Sequence, residues 1–125
     1  MTTWTSDELD RIADAEELEI QSQRDDGTLR KAVPIWVVRA GDDVYVRSYK
    51  GDGASWYRSV RARHEGHVQA GGVAKDVTFV DVGADEASDQ VDAAYLSKYG
   101  RFGTRLTDPM VTAQARAATV KLVPR

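Results

Sequence analysis

The segment from Val33 to Tyr57 constrains the fold more than any other part of the chain. Residues 33–40 are mostly apolar, which is typical of a strand covered on both faces. Pro34 fits a strand that begins there or lies at an edge. The turn signal Ala40-Gly-Asp-Asp43 separates this strand from a second one, predicted over 44–49. The segment therefore predicts an antiparallel hairpin.

A loop with two glycines, Lys50–Ser55, follows the hairpin. Glycine permits close approach of a ligand to the backbone, and Ser55 is a suitable N-cap for a helix predicted over 56–62. We expect Trp56 to anchor that helix in the core, because it lies one helical turn before Val60. Positive charge near the loop comes from Arg39, Arg47, Lys50 and Arg58. The loop is therefore either a plain connection or an anion site at a helix start.

The predicted strand over 44–49 has two different faces. Its period of two places Val44 and Val46 on the face expected to join the core, and Tyr45, Arg47 and Tyr49 on the other. Two aromatic rings beside one guanidinium can stack a planar ligand and hold its charge. The same pattern fits a half-exposed strand with ordinary cross-strand pairs. It also fits a dimer contact, because tyrosine and arginine are enriched in interfaces.

Short strands and helices alternate along the rest of the chain. The predicted helices are one over 6–16 with a capping box at Thr5 and Glu8, one over 86–99 with Asp85 as cap, and a short one opened by Asp108-Pro109. Alternating apolar residues predict further strands over 18–23, 65–70, 73–82 and 117–123. A chain of 125 residues is the usual size of one domain, so we expect a single α+β domain over residues 1–125.

Composition argues against several classes of protein. The chain has no cysteine, which excludes a disulfide or a thiolate nucleophile and suits a cytoplasmic location. Its acidic N-terminus predicts no secretory signal, and its longest apolar run, Ala32–Val38, is too short to span a membrane. A pI near 5.3 argues against nucleic acid as a partner. No metal site is expected, because His64 and His67 would lie on opposite faces of a strand.

Charge is distributed unevenly along the chain. The first 23 residues are strongly acidic, whereas residues 24–75 carry a net positive charge. This asymmetry has two interpretations. It describes either a mixed, solvated surface or a small-anion site within the central segment.

Two runs of sequence resemble a known family. They are PIWVVRAGDDVYVRSYKGDGASWYRSVRA, beginning at Pro34, and TDPMVTAQARAATVKLVPR, which ends the chain. Both are similar to the bacterial domain-of-unknown-function family 2255, and the similarity extends over nearly the whole chain. The family's name does not define an activity, so this resemblance identifies relatives rather than a function.

The layout also resembles the wider split β-barrel group that binds FMN or a deazaflavin. The segments 29–34, 44–49 and 50–56 match its basic loop, its hairpin and the loop before a tryptophan-bearing helix. The resemblance implies six mostly antiparallel strands with three to four packing helices, and a homodimer. It further implies a cofactor site formed by Arg30, Lys31, Arg47, Ser48, Tyr49, Lys50, Trp56 and Tyr57. In that site the cations and Ser48 would hold the cofactor phosphate, and the helix with Trp56 and Tyr57 would close it.

Three functions follow as hypotheses. The first is a flavin- or deazaflavin-dependent oxidoreductase, in which the cofactor supplies the hydride chemistry and no catalytic side chain is required. The second is a non-catalytic module that binds a small anion or nucleotide. The third is a structural dimer without a cofactor, in which the Tyr45, Arg47 and Tyr49 face forms the contact.

Overall fold

Seven antiparallel strands form one curled sheet in the computed structural model, which describes residues 3–84 and 88–125. The strands are β1 Leu18–Ser22, β2 Val33–Ile35, β3 Val38–Ala40, β4 Asp43–Arg47, β5 Glu65–Ala70, β6 Val73–Asp81 and β7 Thr119–Pro124. Their order across the sheet is β2-β1-β5-β6-β7-β4-β3. The helices are α1 Ser6–Asp14, α2 Ser55–Ala62, α3 Ser88–Tyr99, α4 Thr104–Thr107 and α5 Ala113–Ala117. The predicted α+β class is confirmed.

The two edges of the sheet meet because consecutive strands form them. β2 pairs with β1 and β3 pairs with β4, yet only Trp36 and Val37 separate β2 from β3 along the chain. The Cα atoms of Ile35 and Val38 are three peptide units apart and so at most about 11 Å from each other, and the sheet must curl until its edges are neighbours. The result is a split β-barrel with its split at Trp36-Val37. The single strand predicted over 33–40 is therefore two strands, which is why the count is seven rather than six.

The inside of the curled sheet holds the larger apolar core. Alternate residues of each strand point inward. The helices α1 and α2 add further side chains to the same core. Its fully buried members include Leu18, Val37, Val44, Val46, Val77 and Val120, joined by Leu9, Ile12, Tyr57 and Val60 of the two helices. The capping box predicted for α1 is confirmed, with Glu8 N donating to Thr5 Oγ1 at 3.1 Å and Thr5 N donating to Glu8 Oε1 at 2.9 Å.

The outside of the sheet is covered by α3. Val91, Tyr95 and Tyr99 of this helix pack on Val38 and Tyr45, and all five side chains are buried. The helix predicted over 86–99 is confirmed at its C-terminal end, whereas its predicted cap Asp85 lies outside the described residues. Both faces of β4 are thus buried from Val44 to Arg47, whereas β2 and β3 are only partly covered, so the coverage on both faces that the apolar run predicted for residues 33–40 is wrong.

Three local predictions need correction. α1 ends at Asp14 rather than at residue 16, because Ala15 has already turned to an extended conformation. The N-cap of α2 is Ala54, which makes no side-chain cap bond, and Ser55 is the first helical residue. Tyr57 rather than Trp56 anchors α2, with Tyr57 3% exposed and Trp56 only partly buried. Among the residues described, no helix is long and apolar enough to cross a membrane.

Hydrogen bonds from α3 hold the barrel at its split. The amide of Val37 donates to Tyr99 Oη at 3.0 Å, and the carbonyl of Val37 accepts from Lys98 Nζ at 2.7 Å. Lys98 Nζ also lies 3.4 Å from the carbonyl of Ile12 in α1. These bonds satisfy backbone groups that leave the sheet ladder where β2 passes into β3. Burial lowers the pKa of Lys98 to about 8 and raises that of Tyr99 to about 12.

The shifted pKa of Lys98 predicts a pH dependence of stability. An unfolded lysine holds its proton up to about 10.5, so between about 8 and 10.5 the unfolded chain binds more protons than the folded one. The free energy of unfolding should therefore rise across this window. Urea denaturation at about pH 7 and about pH 9 measures this rise, because an unfolded tyrosine with a pKa of about 10 is still about nine-tenths protonated at the higher pH. The rise should be smaller in Lys98→Met and unchanged in Lys75→Met, because the side chain of Lys75 is 35% exposed and lies 3.1 Å from Glu8. An equal rise in the free energy of unfolding in the wild type and both variants would contradict the assignment of this rise to Lys98.

Candidate functional site

A cleft of about 770 Å³ opens between β2, the start of α2, the end of β4 and the segment around α4. Its walls are largely apolar. The apolar lining consists of Val33, Pro34, Ile35, Trp36, Ala54, Trp56, Leu106, Pro109 and Met110. Its polar lining includes Glu17, Arg47, Ser48, Lys50 and Arg105. A concave apolar surface with a few polar groups is the usual form of a small-molecule site.

Trp36 gives this cleft a rigid aromatic wall. Its ring stacks on the buried ring of Tyr99, with centroids 3.9 Å apart and planes 1° apart, and it also contacts Phe102 at 5.8 Å. Tyr99 is in turn fixed by its hydroxyl bonds at the split of the barrel. The orientation of Trp36 is therefore set before any ligand arrives. Trp36 was absent from the predicted site because residues 33–40 were predicted as one strand, in which a tryptophan is expected to belong to the core. The structure divides this run into β2 and β3, and Trp36 lies between them.

Arg47 lies beneath the cleft and joins four elements. Its Nε donates to Thr119 Oγ1 at 2.9 Å, and its Nη1 donates to Asp92 Oδ1 at 2.5 Å and to the carbonyl of Met110 at 3.0 Å. Its Nη2 donates to the carbonyl of Ser88 at 3.2 Å. The side chain has no exposed surface. Arg47 thus holds the Met110 wall in place, and its donors are already engaged within the protein.

The face of Tyr45, Arg47 and Tyr49 is not a single surface. Tyr45 is 2% exposed under α3 and Arg47 is 2% exposed, whereas Tyr49 is 51% exposed at the rim of the cleft. The interpretations of this face as one ligand wall or one dimer contact are therefore wrong. They failed because the alternation does not reveal that α3, far along the chain, covers the outer side of β4.

The loop Lys50–Ser55 is anchored against the body of the protein. Ser48 Oγ donates to the carbonyl of Gly51 at 2.8 Å, and Gln114 Nε2 donates to the carbonyl of Lys50 at 3.1 Å. Gly51 adopts a φ of +54°, and a Cβ there would lie 3.0 Å from the Gln114 side chain. The loop consequently presents Lys50 to the cleft from a fixed backbone.

A second, smaller pocket of about 300 Å³ adjoins the cleft. Val33, Ser55 and Trp56 line both cavities, so Trp56 lies on the boundary between them. Its other lining residues are Ile20, Ser22, Arg24, Arg30, Lys31, Ser59 and Val60. The structure therefore divides the predicted site residues: Ser48, Tyr49 and Lys50 belong to the cleft, and Arg30 and Lys31 belong to the pocket. Tyr57 belongs to neither, since it is buried in the core and faces Arg61, and burial raises its pKa.

The cations around these two cavities differ from those elsewhere on the protein. Most other arginines form ion pairs, such as Arg39 with Asp10 at 2.9 Å. Within the described part of the chain, the side chains of Arg30, Lys31 and Arg105 have no hydrogen bond or carboxylate partner, and Lys50 contacts only the ring of Tyr49, at 5.7 Å. Unpaired positive charge is thus concentrated where the cavities open.

Comparison with protein families gives the chain's relatives. The family model described as "uncharacterized protein conserved in bacteria", domain-of-unknown-function family 2255, matches residues 8–122. The chain belongs to this family. The resemblance stated from the sequence is thereby confirmed. No curated protein matches the sequence significantly.

Solved structures of similar fold have several different activities in their descriptions. An F420-H2 dependent reductase has 20% identity and a TM-score of 0.62, with 86% of this chain and 93% of that chain covered. An FAD-binding protein from Mesorhizobium loti has 19% identity and a TM-score of 0.58, with 98% and 91% covered. A heme storage protein from Vibrio cholerae has 12% identity and a TM-score of 0.64, with 93% and 86% covered. At these identities the similarity establishes the fold, which is the predicted split barrel.

Proposed function

We propose that this protein is a flavin- or deazaflavin-binding oxidoreductase whose cofactor ring lies in the cleft beside Trp36. One observation carries the proposal. An apolar aromatic cleft and unpaired cations adjoin each other in the described structure, and a flavin phosphate ester has this combination of an aromatic ring and an anion. The reductase and the FAD-binding protein of similar fold support the choice of cofactor class.

The residues of the cleft suit such a ligand in size and chemistry. Its volume of about 770 Å³ lies within the usual range of roughly 300–1,000 Å³ for small-molecule sites. Trp36 offers a fixed ring for stacking, and an ordered side chain loses little entropy on binding. Leu106 and Met110 add apolar surface to the cleft, while Lys50 and Arg105 add positive charge to its lining.

In this proposal the cofactor supplies the hydride chemistry and the protein supplies binding, orientation and electrostatics. Ser48 and Arg47 act indirectly. Ser48 fixes the loop that carries Lys50, and Arg47 fixes the wall that carries Met110. No catalytic acid or base is assigned, because the proposed chemistry requires none.

A second candidate, a non-catalytic module for a small anion, is supported by the same unpaired cations. It differs from the first in needing no ring in the cleft. Binding of an anion without binding of any flavin would favour it, as would flavin binding without transfer of reducing equivalents to any acceptor.

The proposal predicts binding of FMN or a deazaflavin, with quenching of the ligand's fluorescence. The variant Leu106→Asp places a carboxylate in the apolar wall and should weaken binding about tenfold or more, because burial of the new charge is costly. Leu106 is 51% exposed, so the variant should fold. Leu96→Asp is the matched control, since Leu96 is 46% exposed on α3 and lines neither cavity. Fluorescence titration of the three proteins measures the effect. A wild-type protein that binds neither ligand would refute the proposal.

We also propose that the protein forms a homodimer through the rim of the cleft. Tyr49, Phe102 and Leu106 are exposed large apolar or aromatic side chains near this rim, and such patches mark interaction surfaces. Sedimentation velocity should show a dimer that Phe102→Glu converts to monomer, with Leu96→Glu as control. A wild-type monomer at high concentration would contradict this assembly.

A further inference from the structure

The amine of Lys98 lies at the split of the barrel without an ion-pair partner among residues 3–84 and 88–125. Its Nζ donates to the carbonyl of Val37 at 2.7 Å and to that of Ile12 at 3.4 Å. It also lies 5.2 Å from the centroid of the Tyr99 ring. A charge that leaves water is normally paired, so an amine held only by neutral groups is unusual. The proposed function gives this amine no role.

These surroundings favour the neutral form of the amine. Burial is the main cause and lowers the pKa of Lys98 to about 8, while Asp14 of α1 opposes the shift and Arg101 reinforces it. Arg101 in turn pairs with Glu16 at 3.5 Å. Near neutral pH, the neutral fraction of such an amine is roughly a hundredfold larger than that of an ordinary lysine. Only the neutral amine is a nucleophile, and desolvation is a known way to activate a lysine.

The position of Lys98 makes a chemical change at this nitrogen consequential. Its two carbonyl partners belong to α1 and to the segment between β2 and β3, so Lys98 ties both to α3. The side chain is only partly buried, which leaves a path for a small reagent. Acylation would remove the charge and leave one N–H in place of three. One N–H can donate fully to Val37 or to Ile12 but not to both.

We propose that Lys98 is a site of Nε-acylation by small acyl phosphates, and that its acylation weakens the attachment of α3 at the split of the barrel. The amine nitrogen attacks the carbonyl carbon of the donor, so that an amide C–N bond forms and the C–O bond to phosphate breaks. Phosphate leaves with the bonding electrons, and the proton of the amine passes to solvent. The reaction uses no flavin or deazaflavin, so the inference is independent of the proposed function.

Mass spectrometry of peptides after treatment with acetyl phosphate tests the site. At about pH 7.5, Lys98 should be acetylated about tenfold or more faster than the exposed Lys31 and Lys50. Its rate should level off above about 8, the pKa of its amine, whereas the rates of Lys31 and Lys50 should keep rising. In urea all three should react at similar rates, because the surroundings of Lys98 are lost. Equal rates in the folded protein would overturn the site.

A matched pair of variants tests whether these surroundings cause the reactivity. Asp14→Asn removes the carboxylate that favours the charged amine, so it should raise the acetylation rate of Lys98 about twofold or more. Asp7→Asn is the control, because it removes the same charge from α1 at a residue that pairs with Arg11. An unchanged rate in Asp14→Asn, or an equal rise in Asp7→Asn, would overturn this cause.

The melting temperature of the acetylated protein tests the effect on the barrel. Acetylation should lower it by about 3 °C or more, because Val37 or Ile12 loses a hydrogen bond. The control is Lys98→Met, which the same treatment acetylates only at other amines, so its melting temperature should not change on treatment. No fall in the wild type, or an equal fall in both proteins, would overturn the proposed weakening at the split.

Discussion

Replacing Arg47 with methionine should destabilise the protein by about 3–5 kcal/mol, because it removes one partner of a buried ion pair. The guanidinium has no exposed surface, and the side chain of Asp92 is 13% exposed. Methionine fills much of the same volume but removes the hydrogen bonds that Arg47 donates to the carbonyls of Met110 and Ser88. Arg116, which also pairs with Asp92, offsets part of the loss. Urea denaturation of both proteins measures the difference in the free energy of unfolding.

A surface arginine provides the control for this result. Arg39 pairs with Asp10 and Asp42 at the protein surface, so Arg39→Met should cost about 1 kcal/mol or less. A double variant, Arg47→Met with Asp92→Leu, should lose less stability than the two single changes added together, because no buried charge then lacks its partner. Equal costs for Arg47→Met and Arg39→Met would show that the buried network contributes no more than a surface pair.

The elements of this fold follow from local pattern, and their arrangement does not. Turn signals and alternation predicted the hairpin between β3 and β4, and the capping box predicted the start of α1. The break between β2 and β3 at Trp36-Val37 was not predicted, because both residues are apolar and compatible with a strand. Closure of the barrel decides it, since β2 and β3 must pair at opposite edges of the sheet.

The sequence predicted only part of the candidate site, because local pattern indicates the elements but not how they are arranged. Residues 48–50 follow β4 directly, so the sequence could predict that they lie beside the start of α2. Arg105 and Met110 come from a segment that the sequence described as an irregular loop and a short helix, and no spacing links it to β4. Arg47 was recognised as unusual, but its role was not, because its partners Asp92 and Thr119 are distant in the chain.

Gly66 offers the second large effect. A Cβ at this position would lie 2.2 Å from the carbonyl oxygen of Gln21 and 2.7 Å from the ring of Phe79. The first contact is with the backbone of the neighbouring strand, so it can be relieved only by separating β1 from β5. We expect Gly66→Ala to destabilise the protein by about 3 kcal/mol or more, through overpacking of a core strand. Thermal and urea denaturation measure the loss.

Gly100→Ala is the matched control for this change. A Cβ there meets no atom within 4 Å of the described structure, so the variant should remain within about 1 kcal/mol of the wild type. Gly66 also pairs directly with Ser22 across the two strands. Unchanged stability would mean that β1 and β5 can separate freely at Gly66, which the barrel's continuous ladder from Glu19 to Ser22 argues against.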